Sequence, residues 1–474
     1  MSTSLPSGSN PKYAWSEITG RDLPKRAPEQ RLRDFHETHF PFDEATAREQ
    51  ASRCVQCPRP GCVISCPVGS PIQQWLELTA EGNFAEAARI SGEATPIAEI
   101  CARLCPRDHL CEDACILNGP AEPVSIGAIE EFLAEYRLAH GEGIVVGPAN
   151  GWRVAVLGTG VAGLACASEL VKRGFSVTMI GRAERAGGFL LRGTSTLRID
   201  EAIVDRRIGM LRERGVVVRL GEVTGRDVCL SQLQSEFDAV FVGWDARRAR
   251  ALAVPGGDLP GVVQGTEFVG HARGEAEAGI PGVDVRGGRV VVIGEDDTAV
   301  DCARTALRRG AAEAVCVCPH PAGSLTCCRR EFEDAEEEGV QFRFEETPVA
   351  LRANDTGRVG QVVLTGTRRV EGGGWEAVEG VGHEIPADWV ILAMGLETEP
   401  GVLEADFQQL QTAEDGALMV DAAQMTSVPG VFAGGDLVHG PSEVVIAIRD
   451  ARLAAEGIEA YLKSRATKQN EPAG

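Results

Sequence analysis

The alternation of apolar and polar positions changes its character near residue 150. In residues 46–140 apolar side chains recur at helical spacing, as in PIQQWLELTAEGNFAEAARI and IGAIEEFLAEYRLAH, so helices are predicted there. Residues 1 to about 45 are polar and interrupted by prolines, which predicts an extended arm. The glycine-rich stretch HGEGIVVGPANG predicts a linker after the helices.

From Trp152 onward, short apolar runs are followed by glycine turns and helical segments. RVAVLGTG followed by VAGLACASELVKRG predicts a buried strand, a tight turn and a helix, and VVVIGEDDTAVDCARTALRRG repeats this order from Val290. Further buried runs, DWVILAMG and GVFAGGDL, occur towards the end of the chain. Two strand–turn–helix units of this kind predict an α/β protein with two parallel-sheet domains.

Charge and composition narrow the class of protein. The formal charge of −22 argues against nucleic acid or an anionic membrane surface as the main partner. MSTSLPSGSNPKYAW has no basic start and no apolar run, and no later run approaches the length of a membrane span. We therefore expect no signal peptide, no membrane insertion and a soluble cytoplasmic protein. The acidic run EFEDAEEEG at residues 331–339 predicts a solvated helix face.

In a reducing cytoplasm, the 15 cysteines are expected to be metal ligands or core residues rather than disulfides. Eight of them form two bursts, CVQCPRPGCVISCP and CARLCPRDHLCEDAC. Such tight loops can bring several thiolates onto one iron–sulfur cube. Structural zinc prefers four-cysteine sets with paired two-residue gaps, and Cys54–Cys57 is the one pair with that gap. The spacing therefore favours iron–sulfur clusters over zinc, and the scattered remaining cysteines are expected to be structural.

Residues 24–135 resemble the N-terminal domain of the glutamate synthase small subunit, a module also found in dihydropyrimidine dehydrogenase and in NADH-dependent ferredoxin:NADP oxidoreductase. The resemblance is carried by KRAPEQRLRDF, the two cysteine loops and VSIGAIEEF. It implies two 4Fe–4S clusters with crossed ligands. The first cluster would be bound by Cys54, Cys57, Cys62 and Cys115, and the second by Cys66, Cys105 and Cys111. The implied fourth ligand of the second cluster is Glu130, with Cys101 as its competitor.

The first glycine turn, GTGVAG, places Gly158, Gly160 and Gly163 in the order G-x-G-x-x-G between a strand and a helix. Glycines here permit a tight turn and let a pyrophosphate reach the helix N-terminus. Together with AGG at 186–188 and GVFAGGDLVHGPSEVVIAIRDARLAA, the motif resembles the FAD site of disulfide-reductase-like flavoproteins. The resemblance implies that Asp436 reaches the ribityl chain and that the helix starting near Ser442 points at the flavin ring. The further FAD-binding residues implied are Gly188, Gly435 and Val444.

Three stretches depart from the flavoprotein pattern. Gly181 stands where the family has an acidic residue that binds the adenosine ribose. The family's Y-G-I-P stretch beside the flavin is RGTS at 192–195. The third-strand motif reads VGWDARR at 242–248, and its Trp and Asp are expected to crowd the cofactor.

The second glycine turn resembles the family's NADPH-binding G-G-G-D-T-A loop. Gly294, Asp297 and Thr298 match it, whereas Glu295 and Asp296 replace two glycines. A like charge beside a pyrophosphate costs on the order of a kcal/mol or more. The next strand ends in CVCPH instead of the arginines that bind the 2′-phosphate in the family. The turn is therefore expected to be retained because the fold needs it. The site for NADPH or NADH is expected to be degenerate.

The predicted architecture is an α/β chain with an N-terminal all-α iron–sulfur domain and a disulfide-reductase-like flavoprotein fold with two dinucleotide domains. The predicted domains are a cluster-binding helical domain at 1–148, an FAD domain at 149–280 and 390–474, and an inserted NAD(P)H-type domain at 281–389. The resemblance implies an electron-transfer subunit that connects FAD and two clusters to a larger redox partner subunit, with NAD(P)H as the family's donor. The alternative is a non-catalytic or relay-only subunit that has lost NAD(P)H binding and possibly FAD.

Overall fold

The computed structural model describes residues 13–141, 143–245, 248–274, 282–370, 374–397 and 405–470. The opening residues 1–12, residue 142 of the predicted linker and residues 246–247 of VGWDARR lie outside this part of the chain. The α-helices of the described part are α1 Ala14–Glu17, α2 Pro28–Arg31, α3 Glu44–Ala51, α4 Gly61–Ser65, α5 Ile72–Glu81, α6 Phe84–Ala94, α7 Ala98–Leu104, α8 Ile126–Ala139, α9 Val161–Lys172, α10 Phe189–Arg192, α11 Glu201–Glu213, α12 Leu230–Glu236, α13 Gly265–Arg273, α14 Asp297–Arg308, α15 Arg329–Glu337, α16 Asp436–His439 and α17 Val444–Asn470.

The strands form two parallel sheets and two smaller antiparallel ones. Their bounds are β1 Arg153–Leu157, β2 Ser176–Gly181, β3 Val217–Leu220, β4 Ala239–Val242, β5 Arg248–Ala249, β6 Val262–Gln264, β7 Arg289–Ile293, β8 Glu313–Cys318, β9 Gln341–Phe344, β10 Glu346–Ala353, β11 Val359–Val370, β12 Gly374–Pro386, β13 Trp389–Leu392, β14 Leu396–Glu397 and β15 Val431–Ala433.

The N-terminal part is helical, as predicted. Its helices pack around an apolar core that includes Trp75, Phe84 and Phe132, and the last two rings meet edge to face at 5.1 Å. The cysteine loops lie between these helices, so the core fixes the positions from which the thiols project. The preceding arm is less extended than predicted, because α1 and α2 each make one helical turn within it.

The first parallel sheet has the strand order β15-β4-β1-β2-β3. Helices α9 and α17 pack against each other on one side, and their apolar residues share a core with the sheet. The carboxyl end of β1 leads directly into the first glycine turn and α9. This is the strand–turn–helix unit that the apolar pattern predicts.

The second parallel sheet has the order β6-β13-β7-β8-β9, and its central strand β7 leads into the Gly294 turn and α14. A three-stranded antiparallel sheet, β10-β11-β12, lies between β9 and β13 in the chain and was not predicted. In the second parallel sheet, β13 pairs with β6 on one side and with β7 on the other, so β6 and β13 belong to the same sheet as β7. On this pairing we propose that the inserted domain begins before Val262 and ends after Leu392.

A buried network of charged side chains joins the N-terminal arm to α14 and α15. Arg304 is fully buried and donates to Glu331, Glu338 and the arm residue Thr38. Arg31 of the arm pairs with Asp334 at 3.0 Å. The predicted solvated face at 331–339 is therefore wrong for three carboxylates, because opposite charges from other elements cover them.

Candidate functional site

The four cysteines predicted to bind the first cluster line a single small cavity. Cys54 and Cys57 enter it from the loop after α3, Cys62 from α4, and Cys115 from the second cysteine loop. The rest of the lining is mostly apolar and includes Leu76 and Ile126. A Cβ atom on Gly61 would lie 2.3 Å from the Ala114 carbonyl oxygen, so glycine is needed where the two loops meet.

The four cysteines that line this cavity fit an iron–sulfur cluster, whose iron atoms bind thiolates. Burial raises the pKa of Cys54 to about 11 and that of Cys62 to about 12, so these thiols are neutral unless a cation compensates the thiolate charge. In the described ranges, no group of three or more His, Cys, Asp or Glu side chains is placed to hold a metal ion. The thiolates of a cubane bind different iron corners, and such a cluster has to fill the space between the cysteines.

The second set brings Cys66, Cys105 and Cys111 together with both candidates for the fourth ligand. The Cys101 thiol hydrogen-bonds with Cys105, and this bond and burial raise the pKa of Cys105. The Glu130 carboxylate accepts from Ser91 and Thr95, each at 3.5 Å. Burial raises the pKa of Glu130 to about 7, as expected for a carboxylate among apolar groups and thiols. The structure therefore leaves both Glu130 and Cys101 as candidate ligands.

A cavity of about 540 Å³ lies between the two parallel sheets and the second cysteine set. The second set reaches it through Leu104 and Pro106, the two neighbours of Cys105 in the chain. From the other side the predicted flavin residues Asp436, Ser442 and Val444 line it. One cavity thus touches the cluster-binding part and both dinucleotide-type domains.

The first glycine turn has the close backbone approaches that its motif requires. Gly158 has a φ of +113°, and a Cβ atom there would lie 2.3 Å from the Gly243 carbonyl oxygen. A Cβ atom on Gly163 would lie 2.1 Å from the Gly158 carbonyl oxygen. These contacts hold α9 against β1 and β4, and the N-terminus of α9 faces the turn. The turn therefore fits the adenosine-diphosphate part of a dinucleotide, apart from Asp245 beside it.

The second flavin motif also forms a compact turn. Gly435 has a φ of +76°, and a Cβ atom on it would lie 3.1 Å from the Ala162 Cβ. Asp436 follows it, and its carboxylate accepts from the Ser442 N–H at 3.4 Å. Helix α17 begins two residues later and directs its N-terminus at the cavity, which suits the electron-rich end of a flavin ring.

The Gly294 turn differs, because its carboxylates are bound by the protein itself. The carboxylate of Glu295 pairs with His320. Asp296 accepts from the Ala299 N–H at 2.9 Å and caps α14. Asp297 accepts from the Cys328 N–H at 2.8 Å and pairs with Arg198 at 2.9 Å. These internal contacts hold all three carboxylates in the loop, so this loop does not fit a pyrophosphate.

Gly294 itself is required by the fold. A Cβ atom on it would lie 2.0 Å from the Ala393 carbonyl oxygen, and its φ is +150°. Thr298, the third matching residue, lines the shared cavity. The predicted retention of this turn for structural reasons agrees with these contacts.

The link between the RGTS stretch and helix α14 of the second dinucleotide-type domain could not be predicted from the sequence. The Ser195 hydroxyl and N–H both donate to the Asp301 carboxylate of α14, at 2.7 and 3.0 Å. Arg198 lines the cavity beside them. No local spacing marks such a pair, because its members are 106 positions apart in the chain.

Two protein families match the chain and define its class. The family described as dihydropyrimidine dehydrogenase domain II, 4Fe-4S cluster, matches residues 31–142, and the pyridine nucleotide-disulphide oxidoreductase family matches residues 152–451. Among solved structures, FprA from Mycobacterium tuberculosis in complex with NADPH superposes with a TM-score of 0.58 at 19% identity, over 68% of this chain and 87% of that one. This likeness shows the fold of the part of the chain that it covers. The two family matches define the class: a pyridine nucleotide-disulphide oxidoreductase joined to an iron–sulfur domain.

Full-length relatives narrow the class further. The chain is 36% identical to the glutamate synthase [NADPH] small chain of Azospirillum brasilense, over 94% of this chain and 96% of that protein. It is 35% identical to the small chain of Escherichia coli K12, over 95% and 99%. The chain belongs to the glutamate synthase small-chain family.

Iron–sulfur clusters, FAD and NADPH are the cofactors of this family, and its electron-transfer function is favoured over the relay-only alternative. In the described residues, no helix combines the length and the apolar character needed to cross a membrane.

Proposed function

We propose that this chain passes electrons between FAD at the Gly158 turn and a larger partner subunit through two 4Fe–4S clusters. The proposed ligands of the first cluster are Cys54, Cys57, Cys62 and Cys115. Those of the second are Cys66, Cys105, Cys111 and either Glu130 or Cys101. The proposed FAD-binding residues are Gly158, Gly160, Gly163, Gly188, Gly435, Asp436, Ser442 and Val444. Relatives named as glutamate synthase small chains imply a large subunit as the partner. Because the ligands are thiolates, a reducing cytoplasm is the proposed location.

The shared cavity is the observation that carries this proposal. Leu104 and Pro106 flank Cys105 and line the same space as Asp436 and Ser442. A cluster bound by Cys105 would therefore lie next to a flavin held by the second motif. FAD, when bound, supplies the conversion between two-electron and one-electron chemistry, and the protein supplies position and electrostatics.

We propose that the partner subunit contacts the chain beside the first cysteine set. Ile64, between Cys62 and Cys66, is 72% exposed, and Ile116, next to Cys115, is 61% exposed. A partner subunit that docks beside the first cysteine set would cover both side chains. The two sets thus form a route from the cavity to the surface.

Electron transfer within the chain can be tested without a nucleotide donor. With saturating FAD under anaerobic conditions, light-driven reduction of the flavin is expected to produce the electron paramagnetic resonance signals of reduced clusters. Cys229→Ser, which alters a cysteine outside both sets, should behave like the native chain. The proposal is overturned if the flavin becomes reduced while clusters that dithionite can reduce remain oxidised. Iron-loaded protein that binds no flavin at any FAD concentration would support the relay-only alternative.

The NADPH affinity is expected to rise at least about fivefold when Glu295 is replaced by glycine. The substitution removes a negative charge from the position where a phosphate would approach, and one such charge is worth about 1 kcal/mol or more. The dissociation constant can be measured by calorimetry with NADPH. Glu313→Gln makes the same charge change beside the start of β7, whereas the Gly294 turn follows the end of that strand. This variant should leave the NADPH affinity unaltered. Equal affinities in Glu295→Gly and the native chain would show that this loop does not limit NADPH binding.

A further inference from the structure

Asp245 lies directly against the two glycine turns of the FAD-type domain. It follows β4, and its Oδ2 accepts from the Phe189 N–H at 2.7 Å. A Cβ atom on Gly160 would lie 2.4 Å from its Oδ1, and one on Gly188 would lie 2.3 Å from its Oδ2. The carboxylate therefore touches the first turn on one side and the AGG turn on the other.

The diphosphate of a bound dinucleotide would lie at this same position, beside the two turns. Gly160 is the N-cap residue of α9, a 12-residue helix whose first N–H groups and dipole favour an anion. The Phe189 N–H, at the start of α10, is already engaged by Asp245. A diphosphate would compete with Asp245 for this donor and for the space beside two glycines, and the two anions would repel each other.

We propose that Asp245 is an internal mimic of the FAD diphosphate, and that it sets the affinity of this chain for FAD by occupying the diphosphate position. This inference rests on the proposed FAD site and adds the residue that controls its occupancy. FAD binds after the Asp245 side chain has left the two turns, so part of the binding free energy is spent on displacing it. A flavin without a diphosphate, such as riboflavin, does not meet Asp245 in this way.

The test compares the binding of FAD and riboflavin to full-length protein with its clusters loaded, by quenching of flavin fluorescence. Asp245→Gly is expected to bind FAD at least tenfold more tightly than the native chain, with riboflavin affinity changed by less than about twofold. Asp245→Asn removes the charge but keeps most of the bulk, so a smaller gain is expected. Glu236→Gln, on α12 before β4, has the same charge change away from both turns and should match the native chain.

Two results would overturn the proposal. One is an FAD affinity that is the same in the native chain, Asp245→Asn and Asp245→Gly. The other is an equal gain for riboflavin and FAD, which would place the effect outside the diphosphate position. If Asp245→Gly unfolds, as judged by thermal melting, Asp245→Asn alone decides between these outcomes. Transfer of electrons from flavin to clusters is measured separately, so a chain that gains FAD affinity but transfers no electrons contradicts the proposed function and leaves the role of Asp245 intact.

Discussion

A chain in which serine replaces Cys62 is expected to lose one cluster and retain the other. Cys62 lines the small cavity with Cys54, Cys57 and Cys115, and it is buried. A serine hydroxyl is a poorer iron ligand than a thiolate, and burial makes its ionisation still more costly. The iron content should fall from about eight to about four atoms per chain. Electron delivery to an external acceptor should fall at least tenfold, because the route from the cavity to the surface is interrupted.

Iron analysis and electron paramagnetic resonance of the reduced protein provide the measurement. Cys105→Ser is the matched variant in the second set, and it should remove the other cluster signal while leaving that of the first set. Cys229→Ser should retain both. Full iron content in Cys62→Ser would remove Cys62 from the ligand set, and loss of both clusters would mean that the two sets do not load independently.

The parts of the site that could be predicted from the sequence are those made of residues close together in the chain. The spacing of the cysteines marks both loops, since a cluster draws several ligands from a short stretch of backbone. The Gly158 and Gly294 turns are recognisable because a buried strand, a turn and a helix follow one another directly. Glycine is required at both turns because the carbonyl oxygens of Gly243 and Ala393, just beyond the ends of β4 and β13, leave no room for a Cβ atom.

Contacts between distant residues were the part that could not be predicted. Asp245 of VGWDARR lies between Gly160 and Gly188, and this position depends on how β4 is placed beside β1. Likewise, the sequence shows acidic residues in the Gly294 turn but not the side chains that bind them. In the folded chain Glu295 pairs with His320 and Asp297 pairs with Arg198, which lie on other segments of the chain.

The contribution of the acidic helix α15 to stability could not be predicted from the sequence either. Its pattern is that of a solvated helix, yet Glu331 and Glu338 are 2% and 5% exposed. Burial alone would raise the pKa of Glu338, but hydrogen bonds from Arg308 and Arg304 outweigh it and hold this pKa at about 2. A carboxylate with a lowered pKa stabilises the fold above its unfolded pKa, and this contribution is lost as the pH falls from about 4.5 to about 2.

Replacing Arg304 by methionine is therefore expected to destabilise the inserted domain by about 3–5 kcal/mol at pH 7, because it leaves buried carboxylates without their main cation. Arg304 Nη1 donates to Glu331 at 2.6 Å and its Nη2 donates to Thr38 at 2.7 Å, so the arm should loosen as well. Urea unfolding followed by tryptophan fluorescence measures the change. The difference in the free energy of unfolding between Arg304→Met and the native chain should shrink as the pH falls below about 4.5. At that pH the native chain loses the contribution of its ionised carboxylates. Arg329→Met, at a pair with exposed Glu333 on the same helix, should cost less than about 1 kcal/mol. A loss no larger than this in Arg304→Met would mean that the buried network does not hold the arm to the inserted domain.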